Sequence, residues 1–235
     1  MTDRNNITAL ILAGGNGSRL KTLVSDRQKV VAEINGRPFL SLLLAQIERF
    51  GIRKAVICTG YMAETVNAVV EKYEGPLKLS LSFEESPLGT GGAVKNALPL
   101  IETEYFMLMN GDSFLDLDGE KFFRNIPGTK AVMALAQVND VSRYGAVILG
   151  ENGKINSFSE KSEYSGPGLI NAGISLISKE LFEEYCPGET KFSIETGFFP
   201  VLVAANELSG FAQCGTFIDI GVPEAYQKAA QILGL

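Results

Sequence analysis

Apolar residues along this chain follow two rhythms, short unbroken runs and stretches that recur every three or four positions. Ile7, Leu10, Ile11 and Leu12 form a compact apolar run that breaks into Gly14, Gly15 and Gly17 and then a cation, Arg19. A run ending in glycines predicts a buried strand feeding a loop. Leu40, Leu43, Leu44 and Ile47 then repeat at helical spacing, with Pro38 as a first-turn proline and Gly51 as the stop. Residues 55–58 predict a buried strand. Val66, Val69, Val70 and Tyr73 mark an amphipathic helix ending near Gly75 and Pro76, and residues 77–83 alternate like a strand. Strand, helix, strand, helix, strand predicts a parallel sheet with right-handed crossovers.

The pattern continues with a second glycine-rich loop at 84–93, EESPLGTGGA, where Thr90 is placed to cap a helix running to about Leu98. Residues 105–109 are a central apolar strand that delivers Asn110, Gly111 and Asp112 at its carboxyl end, the end at which open α/β sheets bind ligands. A helix around 119–125 and a strand over 131–138 follow, with Asp116 and Asp118 read as loop and helix-start acids. Then the rhythm changes. Residues 145–149 and 155–159, joined by a turn at Glu151, Asn152 and Gly153, predict an antiparallel hairpin, and 169–177 a further strand, so the second half is mixed. Helices are expected at 179–185 and 196–205, strands within 211–218 ending at Asp219, and a last helix from Pro223 to about Leu233. No internal repeat, linker or low-complexity segment interrupts the chain, and one domain over all 235 residues is expected.

Composition narrows the chemistry. Hydrophobic residues make up 46% and charged residues 20%, which suits a substantial core. A net charge of −6 argues against a nucleic-acid or anionic-membrane surface, so any bound phosphate must rely on a few local cations. The apolar run near the N-terminus is too short for a signal or transmembrane segment, and a cytoplasmic protein is expected. Cys58, Cys186 and Cys214 lack metal or disulfide spacing and read as reduced, mostly buried thiols. Histidine is absent altogether, which removes Ser-His-Asp and Cys-His catalysis and most zinc hydrolases. What chemistry there is must run on carboxylates, cations and metal.

Glycines let several backbone N–H groups converge on one anion, so the loop after Leu12 is a candidate phosphate cradle as well as a plain strand-to-helix turn. Other motifs break that tie. LAGGNGSRL, Lys29 ahead of GRPFL, LGTGGA, NGDSF, FSEK followed by INAG, and FIDIGVPEAY occur in this order. Together they resemble the sugar-1-phosphate nucleotidyltransferases, over the whole chain. The resemblance implies an α/β, Rossmann-like three-layer αβα nucleotide-diphospho-sugar transferase fold with a mixed, mostly parallel central sheet.

It also implies roles, carried over residue by residue. Leu12, Ala13, Gly14, Gly15, Gly17 and Ser18 correspond to the loop around a nucleoside triphosphate, with Arg19 and Lys29 as catalytic cations on its phosphates. An Arg fork and a mobile Lys charge suit that task. Gly89 and Thr90, with Gly111, correspond to the segments around base and ribose. Asp112 and Asp219 correspond to the ligands of a Mg2+ ion, Asp112 also counting as catalytic; Mg2+ favours a few carboxylates plus substrate phosphates. Gly145, Glu160, Lys161, Asn171, Ala172 and Glu195 correspond to the sugar-phosphate side. The partners implied are a nucleoside triphosphate and a sugar 1-phosphate.

Many members of that family carry prolines around the loop lysine, where this chain has Lys21, Thr22, Gln28 and Val30. Fewer prolines leave φ less restricted, so whether the 21–30 segment is ordered before nucleotide arrives stays open. RLKTLVSDRQKVVAEINGRPFL most resembles the branch using GTP and D-glycero-α-D-manno-heptose 1-phosphate. Use of UTP, dTTP or CTP with a hexose, aminosugar or N-acetylmuramate 1-phosphate stays open, as does a non-catalytic nucleotide-sugar sensor. No β-helix extension is expected, and oligomeric state is not legible.

Overall fold

The structure is a computed structural model that describes residues 3–15, 24–124, 128–160, 164–212 and 214–235. In chain order its elements are β1 (Ile7–Leu12), β2 (Glu33–Ile34), β3 (Arg37–Pro38), α1 (Phe39–Arg49), β4 (Lys54–Thr59), α2 (Ala63–Glu71) and β5 (Lys78–Phe83). Next come α3 (Gly89–Ala97), β6 (Tyr105–Asn110), β7 (Ser113–Leu117), α4 (Gly119–Arg124), β8 (Ala131–Val138), β9 (Gly145–Leu149) and β10 (Ile155–Glu160). The chain closes with β11 (Gly168–Ser178), α5 (Lys179–Tyr185), α6 (Ile194–Gly197), α7 (Phe199–Ala204), β12 (Leu208–Phe211), β13 (Cys214–Asp219) and α8 (Pro223–Leu233).

Nine strands form the central sheet in the order β10-β9-β11-β6-β1-β4-β5, with β8 also against β11 and β12 against β8. β1 pairs in parallel with β4 and β6, and β4 with β5, as expected of the first half. β11 runs antiparallel to β6, β8 and β9, and β10 antiparallel to β9, so these two strands alone oppose the common direction of the sheet.

Alternation along the central strands explains the three layers. Ile7, Ala9 and Ile11 of β1 face one apolar cluster with Phe39, Leu40, Leu43 and Ile47 of α1, whereas Leu10 faces the other with Val94 and Ala97 of α3. β4 and β6 divide in the same way, Ala55, Ile57, Met107 and Met109 to one side and Val56, Cys58, Phe106 and Leu108 to the other. Strands buried on both faces need near-continuous apolar sequence, and that is the pattern they carry.

Several details depart from the sequence expectations. Pro38 pairs with Glu33 in the β2–β3 ribbon, and α1 begins one residue later. The helix expected over 196–205 is two short helices broken at Phe198, which lets Pro200 sit in the first turn of α7 rather than inside a longer helix. Residues 113–117 form a strand, so Asp116 lies on β7 and not in a loop, while Asp118 does cap α4 through a 3.1 Å bond from the Lys121 N–H. The late strands separate: β12 joins the main sheet, and β13 pairs with β7 as a two-stranded ribbon. Of the three free cysteines only Cys58 is buried, Cys186 and Cys214 being half-buried. No helix among the described residues is long and apolar enough to cross a membrane.

Candidate active site

A cleft of about 480 Å³ opens along the carboxyl ends of β1 and β6. Its first wall holds Leu12, Ala13, Gly14 and Gly15, with Gly89 and Thr90 beside them. Lys29, Gly111 and Asp112 line its floor with Asp219. The opposite wall carries Glu160, Asn171, Gly173 and Glu195. Residues read separately from the sequence as nucleotide, metal and sugar groups thus share one cavity. Gly17, Ser18, Arg19 and Lys161 lie outside the described residues, as do Lys21 and Thr22. Ala172 points into the core at 1% exposure, and Gly145 backs onto Phe158, whose ring would stand 2.8 Å from an added Cβ.

The two aspartates meet because of a strand register. β13 pairs with β7 so that Asp219 stands opposite Ser113, one residue beyond Asp112, and the Ile220 N–H donates to the Asp112 carbonyl at 2.8 Å. Lys29 reaches the same point and forms an ion pair with Asp112, both side chains being largely shielded. Gly221 leaves the space between them open. A Cβ there would stand 2.8 Å from Asp219 Oδ1, 3.0 Å from Lys29 Nζ and 3.4 Å from Asp112 Oδ2.

On the far wall, β11 shifts register against β8 between Asn171 and Ser175. Such a bulge re-aims side chains at an active-site rim. Gly173 takes φ +78° within it, and an added Cβ would stand 2.4 Å from Ser113 Oγ, so only glycine lets the bulge approach the Asp112 turn this closely. Tyr144 packs edge-on against Phe217 with centroids 5.7 Å apart, and burial, then the negative charge of Asp219, raises its phenol above the ordinary range.

Thr90 does not cap its helix. α3 begins at Gly89 after Leu88, and the N–H groups of Gly91 and Gly92 donate to the Phe192 carbonyl. The Thr90 hydroxyl instead donates to Glu195 Oε2 at 2.6 Å and accepts from the Ile194 N–H at 2.9 Å; Ser193 Oγ donates to the same carboxylate oxygen at 2.6 Å. Glu195 therefore joins the two walls of the cleft. Thr90→Val removes two of these bonds and is expected to cost about 1–3 kcal/mol, read as a lower urea midpoint at unchanged slope. A midpoint equal to wild type would mean that the tie contributes nothing to stability.

A larger hollow of about 630 Å³ lies apart, between residues 26–38 and helices α1 and α2. Its arginine, Arg27, is already paired with Asp26 at 2.9 Å and Glu33 at 2.6 Å.

A family profile described as "Nucleotidyl transferase" matches residues 8–234. The chain belongs to the nucleotidyl transferase family. Among its relatives, a D-glycero-α-D-manno-heptose 1-phosphate guanylyltransferase of Campylobacter jejuni is 38% identical over 93% of this chain and 96% of its own. One of the same description from Aneurinibacillus thermoaerophilus is 35% identical over 96% and 97%. The crystal structure of HddC from Yersinia pseudotuberculosis superposes with a TM-score of 0.84 at 35% identity, covering 96% of this chain and 99% of that one, and HddC has also been solved complexed with GMP-PN.

Nucleotidyl transferases of this family generally use a divalent metal. The donor set here suits a hard cation: two carboxylates converge beside the Lys29 ammonium, and no group of three or more His, Cys, Asp or Glu among the described residues could close a shell alone. Substrate oxygens and water would have to complete it, as Mg2+ accepts. Cys58 and Cys214 offer no alternative nucleophile. Burial pushes Cys58 far above, and Cys214 to about 11, leaving both protonated.

This transferase's cleft also holds residues that the sequence did not single out, among them Gln28, Glu84, Tyr144 and Phe217. Glu84 is the most informative. A Cβ on Gly14 would stand 2.6 Å from its Oε1, and burial raises its carboxyl above the usual range. The available signal was an acid at the first position after β5, at the head of the second glycine loop.

Proposed function

We propose that this chain condenses GTP with D-glycero-α-D-manno-heptose 1-phosphate to GDP-heptose and pyrophosphate, for surface-polysaccharide synthesis. The observation that carries the reading is the convergence of Lys29, Asp112 and Asp219 between a glycine loop and a wall of sugar-type polar groups. The heptose guanylyltransferase relatives and the GMP-PN complex of HddC support the choice of substrates.

The nucleophile is a phosphate oxygen of the sugar 1-phosphate, largely dianionic at neutral pH with a second pKa of about 6, so a chain without histidine needs no general base. That oxygen forms a bond to the α-phosphorus as the bond to the β-phosphate bridge breaks, and the electron pair leaves with pyrophosphate. Asp112 and Asp219 would hold Mg2+, which when bound neutralises phosphate charge. Lys29 supplies a cation at the same point, and Arg19 and Lys161 are proposed for the triphosphate and the sugar phosphate respectively. Asn171, Glu160 and Glu195 orient the sugar. Glu84 favours guanine, because an ionised carboxylate only accepts and guanine's N1–H and N2–H are two adjacent donors.

A pyrophosphate-release assay crossing four triphosphates with heptose and hexose 1-phosphates tests this. Turnover is expected with GTP and the heptose phosphate. Turnover confined to UTP and a hexose phosphate would sink the heptose reading, and binding without turnover in any pair would favour a nucleotide-sugar sensor.

A further inference from the structure

Gln28 is 4% exposed, an unusual place for an amide at the edge of a polar cleft. Its side chain is fully engaged with backbone. Nε2 donates to the Gly15 carbonyl at 2.6 Å and to the Tyr61 carbonyl at 3.4 Å, while Oε1 accepts from the Lys29 N–H at 2.5 Å. Its own N–H donates to Thr65 Oγ1 at 3.1 Å, and that hydroxyl donates to the Met62 carbonyl at 2.7 Å. One amide thereby joins the glycine loop, the entry to α2 and the first residue of the short 3₁₀ turn Lys29–Val31, whose lysine meets Asp112.

Resting on the functional reading above, we propose that Gln28 is a positioning residue for the triphosphate, a strut that sets the spacing between the Gly14–Gly15 backbone and the Lys29 ammonium. The physical need is specific. Both groups address one polyanion, yet they are separated in sequence and lie on loops where backbone angles alone leave several arrangements open. At Gln28 the backbone has φ −65° and ψ 141°, the conformation a proline would impose. Proline would set φ but delete the N–H that binds Thr65, whereas glutamine keeps that bond and also reaches across to Gly15. Gln28 itself is buried, but Gly15 and Tyr61 are exposed, so water can take up their carbonyls once the amide is gone; what the bonds hold is the spacing of the two loops rather than the fold.

Gln28→Met keeps length and bulk and deletes every side-chain hydrogen bond. The expected result is a KM for the nucleoside triphosphate raised about tenfold or more, since displacements near 1 Å can cost about 100-fold. The KM for the sugar 1-phosphate and the thermal midpoint should stay close to wild type. A merely structural glutamine would lower the midpoint and affect both substrates alike. Gln28→Glu supplies a second arm: a carboxylate facing the Gly15 and Tyr61 carbonyls can donate only when protonated, so its nucleotide KM should improve on acidification relative to the Met variant. Normal wild-type turnover with an unchanged nucleotide KM in Gln28→Met overturns the strut alone. Absence of wild-type turnover with every triphosphate overturns the functional reading and the strut together.

Discussion

Asp219→Asn is expected to fold normally and to lose Mg2+-dependent nucleotidyl transfer by roughly 100-fold or more, the scale on which single charge-stabilising groups act. The fold should survive because Asp219 Oδ1 accepts the Gly221 N–H at 2.7 Å, and an asparagine oxygen can accept the same bond. What disappears is one of two negative charges at the end of the β7–β13 ribbon. Mg2+ sheds water reluctantly and favours carboxylate over amide oxygen, so the remaining Asp112, already engaged by Lys29, should demand much more metal for half-maximal rate. Gly221→Ala tests the same point by geometry. Its Cβ would stand 2.8 Å from Asp219 Oδ1, forcing the carboxylate aside without touching its charge, and a fall of about tenfold is expected with an unaltered circular dichroism spectrum. Pyrophosphate release against Mg2+ concentration measures both. Unchanged turnover in Asp219→Asn would remove this residue from the metal site.

Glu84→Gln is expected to change which base is used. An ionised carboxylate matches guanine's paired donors, and losing one bidentate contact costs about 1–3 kcal/mol, or roughly 5- to 150-fold in kcat/KM for GTP. Glutamine presents one donor and one acceptor, which suits the N3–H and O4 of uracil or thymine, so UTP and dTTP should gain as GTP falls. Acidification gives an independent readout. Burial holds the Glu84 carboxyl above the usual range, so it protonates earlier than an ordinary glutamate as pH falls. The accepting form is then lost first, and the wild-type KM for GTP should rise at a pH where the Gln variant's is flat. A Glu84→Gln enzyme that keeps the wild-type preference for GTP over UTP would exclude Glu84 from base selection.

Much of this could be read in the chain because burial leaves a direct trace in residue type. β1, β4 and β6 are covered on both faces and are therefore nearly all apolar, and α1 keeps its stripe because one side meets the sheet. Asp112 was legible because it follows such a strand. β7 was not, since five residues with one face outward carry too little pattern to distinguish from a loop, and its partner β13 is far along the chain. Thr90 misled for a related reason. Local rules prefer threonine at a helix start, and here two hydrogen bonds to Glu195 and Ile194 outweighed that preference.

By itself, the sequence determined the layered α/β class, the glycine loops, a chemistry without histidine and the identities of the charged groups. Periodicity and composition are local properties, and they need no knowledge of distant contacts. Tertiary structure alone decided the register that brings Asp219 to Asp112, that Glu195 is tied across the cleft to Thr90, that Glu84 faces Gly14, and that Gln28 links Gly15 to Lys29. Each is a pairing between residues remote in sequence, set by strand register, a bulge or the lack of a Cβ, and none leaves a periodic mark on the chain.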